Sequence, residues 1–368
     1  MLRRLAFPAI AAVLAAVTLP IGAYADQVRD QQWHLGYLHV SEAHEISQGD
    51  GVLVAVADSG VDPSAKELGA AVVPGNEFFG RSGDGRADTD GHGTAMAGII
   101  AGRGTGGNSG NNGVLGIAPK ANILPIRVSP SPGFGGSGKE LAAGIEWAVG
   151  QHAKIICISL GTDEDSRVKA AIEKAMAADI VVVAAVGNRP GTRVVAFPAK
   201  LPGVVAVGAV DQQGRVSSAS VTGPEVLLSA PGVDIMSTDI EGNHRQTSGT
   251  SDAAAIVAGA AALVRAKYPQ LSAQDVIRRL TYTAQDAGAP GRDPEYGYGI
   301  LDLVKALTAE VPPASPGAAP QVSASAGAGK DAGGGRSVAV IAAIGAAVVV
   351  VVFISVLQSI IRGRRRRG

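Results

Sequence analysis

Along residues 50–310, short unbroken apolar runs alternate with stretches of helical periodicity, and this restricts the fold more than any other feature of the chain. The apolar runs fall at 52–57, 123–128, 154–159, 180–185 and 204–210. Helical patterns lie at 94–101, 139–150, 163–178, 251–267 and 273–284, with Pro269 stopping the fourth. A strand that is apolar without alternation is buried on both faces, and the helices between successive strands supply the cover. The expectation is an α/β domain of three layers, with a mostly parallel sheet between two helical layers. The stretch is long enough for one sizeable core and contains no internal repeat.

The flanking segments carry other signals. Residues 1–25 begin with Arg3 and Arg4, run apolar and end in Ala23-Tyr24-Ala25, the pattern of a cleaved signal peptide. An uncleaved anchor helix is the alternative, and Pro8 and Pro20 speak against it. Residues 26–49 then form an extension ahead of the first apolar run, followed by a body at 50–310. Residues 311–336 are a Pro/Ala/Gly linker almost without large apolar side chains, so they read as a flexible tether. Residues 337–361 contain no charge, and as a helix they exceed the roughly 30 Å of hydrocarbon in a bilayer. Arg362 and four more arginines at 364–367 follow at once. Basic residues on that flank place the tail, 362–368, in the cytoplasm and the body outside the membrane. A buried core helix is the alternative for 337–361.

Setting aside the two arginines of the leader and the five of the tail leaves 25 basic residues against 32 acidic, a net charge of about −7 for 26–336. Nothing in that balance suggests a nucleic-acid partner. Cys157 is the only cysteine, so an exported chain has no intrachain disulfide, and its setting in KIICIS suggests a small buried apolar side chain.

In sheets of this kind chemistry gathers where strands end and helices begin. Four residues stand at such junctions. Asp58 ends VLVAVAD, where a lone aspartate is usually a turn or cap. His92 opens a helix of small residues in DGHGTAMAGIIAG, where a histidine is usually structural or solvent-facing. Asn188 ends VVVAAVGN, where asparagine normally forms a turn. Ser251 opens the alanine-rich helix in GTSDAAAIVAG, where serine is ordinarily an N-cap. Together they form a set with a joint meaning. A serine hydroxyl is a poor nucleophile until a base takes its proton, and histidine is the base suited to neutral pH. A carboxylate fixes the histidine tautomer, and an amide can help to bind the oxyanion.

The segments VAVADSGVD, DGHGTAMAGIIAG, SLG, VAAVGN, SAPG and GTSDAAAIVAGAAALV resemble those of the subtilisin-like serine peptidases, across about residues 30–307. DQVRDQQWHLGYL, together with the leader, the single apolar segment and the basic tail, resembles the mycosins in particular, membrane-anchored peptidases tied to type VII secretion. The resemblance implies that Asp58 orients, His92 acts as base and acid, Ser251 attacks, and Asn188 donates to the oxyanion. It implies that Ser159, Leu160 and Gly161 form the edge on which a peptide substrate pairs, and that 26–49 wraps over the catalytic body. It further implies protein or peptide substrates, type VII secretion subunits as partners, and no cofactor for the chemistry. A second implication of the mycosin resemblance is a mainly structural role, holding a secretion complex together. Two positions depart from the family pattern: Asp252, where a bulky apolar residue is usual, and Ala255, where proline is usual. Asp252 suits the first turn of a helix and, near His92, would raise the imidazole pKa.

Two stretches stay ambiguous. The glycines of GRGTGGNSGNNG, 102–113, could suggest a phosphate loop, but the stretch follows a helix and lacks Gly-Lys-Ser/Thr, so a cleft-side surface loop fits better. Asp and Asn residues around 76–90 are compatible with calcium, without a diagnostic ligand spacing.

Overall fold

A computed structural model describes residues 26–80, 82–105, 112–130 and 137–312. The expected signal peptide, most of the expected linker, the apolar segment 337–361, the basic tail and the centre of the 102–113 loop lie outside the described residues. Among the described residues no helix is long and apolar enough to cross a membrane.

The helices are α1 (Asp26–Asp30), α2 (Trp33–Tyr37), α3 (Val40–Ile46), α4 (His92–Ala101), α5 (Gly138–Gly150), α6 (Ser166–Ala177), α7 (Thr250–Lys267), α8 (Ala273–Tyr282) and α9 (Leu303–Thr308). The strands are β1 (Leu53–Asp58), β2 (Asn76–Glu77), β3 (Arg103–Thr105), β4 (Asn112–Leu115), β5 (Asn122–Arg127), β6 (Ile155–Ile158), β7 (Val181–Ala185), β8 (Val205–Val210), β9 (Leu228–Pro231), β10 (Ile235–Thr238) and β11 (His244–Thr247). Seven strands form one sheet in the order β2-β5-β1-β6-β7-β8-β9, and every pairing in it is parallel. Two antiparallel pairs, β3-β4 and β10-β11, stand outside it.

The pleat divides the core in two. Val54, Val56, Cys157, Val183 and Val207 face α4, α7, α8 and α9 on one side. Their neighbours Ala55, Ala57, Ile156, Ile158, Val182 and Ala184 face α5 and α6 on the other. Alternation places successive side chains on opposite faces, so a sheet covered on both sides needs apolar residues at every position. The expected three-layer α/β fold is present.

The extension crosses the body. Arg29 Nε donates to the Gly113 carbonyl at 3.0 Å, and Gln32 Nε2 to that of Leu115 at 3.0 Å. The Leu115 N–H returns a bond to Gln32 Oε1 at 2.9 Å. Trp33 Nε1 donates to the Val233 carbonyl at 2.9 Å, and Ser47 Oγ to that of Leu263 at 2.8 Å. The segment thus reaches from β4 through the turn after β9 to the far end of α7.

Candidate active site

Strand β1 delivers Asp58 as its last residue, 1% exposed, and its Oδ1 accepts the Ser59 N–H at 2.7 Å. Helix α4 begins at His92, so the ring leaves the helix at its first residue. His92 Nδ1 lies 2.8 Å from Asp58 Oδ1 and 3.0 Å from Oδ2. A carboxylate can only accept, so Nδ1 carries a proton towards Asp58, and in the neutral ring Nε2 keeps its lone pair. Gly93 makes this approach possible: a Cβ there would lie 2.1 Å from the Gly60 carbonyl oxygen. The Gly93 N–H donates to Ser59 Oγ at 3.0 Å and ties the helix start to the strand end.

Helix α7 starts at Thr250, with Gly249 at its N-cap and no side chain capping it. Ser251 is therefore not the cap that a serine at this place usually is. It is the second residue of the helix, 9% exposed, and its hydroxyl has no partner among the described residues. No hydrogen bond joins His92 to Ser251 here; such bonds commonly tighten only when substrate binds. The Ser251 N–H belongs to the first turn, whose donors have no partner inside the helix. Asn188 follows β7 and is solvent-exposed. Its Oδ1 accepts the Thr250 N–H at 3.0 Å, which leaves the Nδ2 donors free to point elsewhere. A methyl placed on Gly249 would stand 3.0 Å from Ser251 Oγ, 3.1 Å from Asn188 Nδ2 and 3.5 Å from Asp252 Oδ2. The hydroxyl, the amide and a carboxylate thus border one small space that glycine leaves open. The Thr250 and Gly249 contributions are missed by reading motifs, because they act through backbone and absence of side chain; the adjacent Gly-Thr in GTSD is the available signal.

Burial disfavours the charged imidazole of His92, but the negative charge and hydrogen bond of Asp58, with Asp252 and Asp90 behind them, outweigh it and hold its pKa above the ordinary value. Burial also pushes the Asp252 carboxyl up to about 6, against a hydrogen bond from Thr247 and the pull of His92. The expected influence of Asp252 on the histidine thus has the sign read from the sequence.

Ser159 and Leu160 are buried just past β6, and Gly161 is half-buried. Ser159 Oγ donates to the Ser251 carbonyl at 3.3 Å, which braces the first turn of α7. Leu160 and Gly161 lie beyond the β6 ladder, and their backbone groups have no partner among the described residues. Cys157 is buried, its thiol pushed up to about 12 chiefly by burial, which makes it inert. Among the described residues, no group of three or more His, Cys, Asp or Glu side chains could hold a metal ion.

An all-parallel sheet with a carboxylate, an imidazole and a helix-borne serine at its strand and helix ends defines a peptidase class, and residues 49–299 match the Subtilase family. The chain belongs to that family and is a serine peptidase. It is 38% identical over 276 residues to the thermostable alkaline protease of Halalkalibacterium halodurans, covering 74% of this chain and 73% of that protein. It is likewise 38% identical over 264 residues to subtilisin DY of Bacillus licheniformis, covering 70% and 90%. Among solved structures it is similar to MycP1 from Mycobacterium smegmatis, with TM-score 0.67, 32% identity and coverage of 76% of this chain and 85% of that one. It is also similar to MycP3 protease from the type VII (ESX-3) secretion system, with TM-score 0.65, 34% identity and coverage of 76% and 88%. The mycosin resemblance read from the sequence holds.

Proposed function

We propose that this chain is a membrane-anchored, extracytoplasmic endopeptidase of a type VII secretion system, with Asp58, His92 and Ser251 as its catalytic triad. The observation that carries the catalytic reading is the Asp58–His92 pair at 2.8 Å beside the space shared by Ser251 Oγ and Asn188 Nδ2. In this reading Ser251 Oγ attacks the scissile carbonyl while His92 Nε2 takes its proton, and Asp58 holds the resulting imidazolium. The oxyanion forms between Asn188 Nδ2 and the Ser251 N–H. Collapse breaks the C–N bond, the amine leaves with the proton from His92, and Ser251 is left acylated. Water, activated by the same imidazole, then releases the acid.

Leu160 and Gly161, with backbone groups free of partners, suit the pairing of an extended peptide by strand addition, with Ser159 bracing the nucleophile's turn. The leader pattern at 1–25 and the uncharged run at 337–361 ahead of the arginines support the membrane topology. The MycP1 and MycP3 structures support the secretion role. One experiment tests these elements together: a membrane-impermeant fluorophosphonate probe is added to intact cells and the membrane fraction is analysed. The expected result is labelling of the wild-type chain in that fraction and none of Ser251→Ala. Labelling of both, or of neither, overturns the catalytic reading; labelling only after lysis overturns the topology.

A further inference from the structure

Asp252 follows the nucleophile in the first turn of α7 and is 1% exposed. Its Oδ1 accepts a hydrogen bond from Thr247 Oγ1 on β11, and its Oδ2 borders the space beside Ser251 Oγ and Asn188 Nδ2. A carboxylate serves the dipole of a helix start equally well from the surface, so the dipole does not account for complete burial. The charges that face His92 are Asp58 from β1, Asp90 from the approach to α4, and Asp252 from α7. Those that face Asp252 are His92 and Arg245, the latter from β11. Arg245 is engaged elsewhere: its Nη1 donates to the Asp90 carbonyl at 3.1 Å and lies 3.6 Å from Asp239 Oδ1. Asp252 has no ion-pair partner among the described residues, and no hydrogen bond joins it to His92. What remains is charge acting across the site, and the cations it meets there are the imidazolium first and Arg245 behind it.

We infer that Asp252 is a positioning residue for the general base: a second carboxylate whose field stabilises protonated His92 and sets the pH at which the enzyme switches on. The inference rests on the assignment of His92 as base and Ser251 as nucleophile. No bond to Asp252 forms or breaks; the proton moves between Ser251 Oγ, His92 Nε2 and the leaving group, and Asp252 changes only how readily the imidazole holds it. Burial pushes the Asp252 carboxyl up to about 6 while His92 is held above its ordinary value, so Asp252 already carries its charge when the imidazole gives up its proton.

The test is the rate of fluorophosphonate labelling of Ser251 against pH, on the full chain in detergent, for the wild type, Asp252→Asn and Thr247→Val. The base must be neutral to act, so removing the negative charge moves the acid limb to lower pH. Thr247→Val removes the bond that favours ionised Asp252 and moves the limb the same way by less. An unmoved or raised midpoint in Asp252→Asn, with labelling intact, overturns the inference. Should Asp252→Asn fail to fold, Thr247→Val decides, and an unmoved midpoint there counts against it. Absence of labelling in the wild type at every pH removes Ser251 as the nucleophile, and the role of Asp252 with it.

Discussion

Asn188 is useful to an oxyanion only if its amide faces the right way, and the Thr250 N–H makes that choice by occupying Oδ1 at 3.0 Å. Replacing Asn188 by Ala is expected to lower kcat by about 10²–10³ with little change in KM, the loss seen for this asparagine in subtilisin itself. Steady-state kinetics on one peptide substrate checks it, and a loss confined to KM would count against the oxyanion role. Asp58, His92, Asn188 and Ser251 stand out in the sequence because each lies at a junction that its neighbours mark: an apolar run before it, or small residues and a helix after it. Thr247 and Thr250 do not. One supplies its hydroxyl to a carboxylate five residues on and the other its main-chain N–H to a residue 62 positions away. Neither relation has a local pattern.

The five long apolar runs and five helical stretches all became elements, with ends shifted by a few residues. Helix α6 shows why ends are hard to read. Its periodicity extends back to 163, but Asp165 accepts the Arg167 N–H and caps the helix, so Ser166 is its first residue. Short elements escaped notice altogether. Strands β2, β3 and β4 have two to four residues, too few for periodicity, and β9 is ordered by its parallel partner β8. Helix α7 is buried along nearly its whole length, and its small side chains let the sheet come close. Gly259 shows the tolerance there: a Cβ would lie 2.6 Å from Ile117 Cβ. Ala in place of Gly gains about 1 kcal/mol of helix propensity, while overpacking a stiff β-branched neighbour costs about 1–3 kcal/mol. The overpacking wins, so Gly259→Ala is expected to lower Tm; an unchanged or raised Tm would show that Ile117 yields freely.

Stability of the whole body carries the signature of the site. Folding raises the Asp252 carboxyl from 3.8 to about 6, so its contribution is fully present below the lower value and is lost as pH rises through the upper one. The charged, buried carboxylate then costs about 3 kcal/mol at alkaline pH. His92, also raised, runs in the same direction: its contribution is present at low pH and lost as pH rises through its folded value. Asp252→Asn keeps an acceptor for Thr247 and removes the charge. Its Tm is expected to exceed that of the wild type near about pH 8 and to match it near about pH 4. A constant gap across that range would show that charge is not the cause. The extension shows integration of a different sort. Arg29, Gln32, Trp33 and Ser47 all donate into main-chain carbonyls of the body, which no side-chain substitution there can delete. A nick in the exposed turn at Asp50–Gly51 would therefore yield a two-chain heterodimer rather than a shed peptide, and the docked piece could be exchanged for a synthetic one carrying a fluorophore.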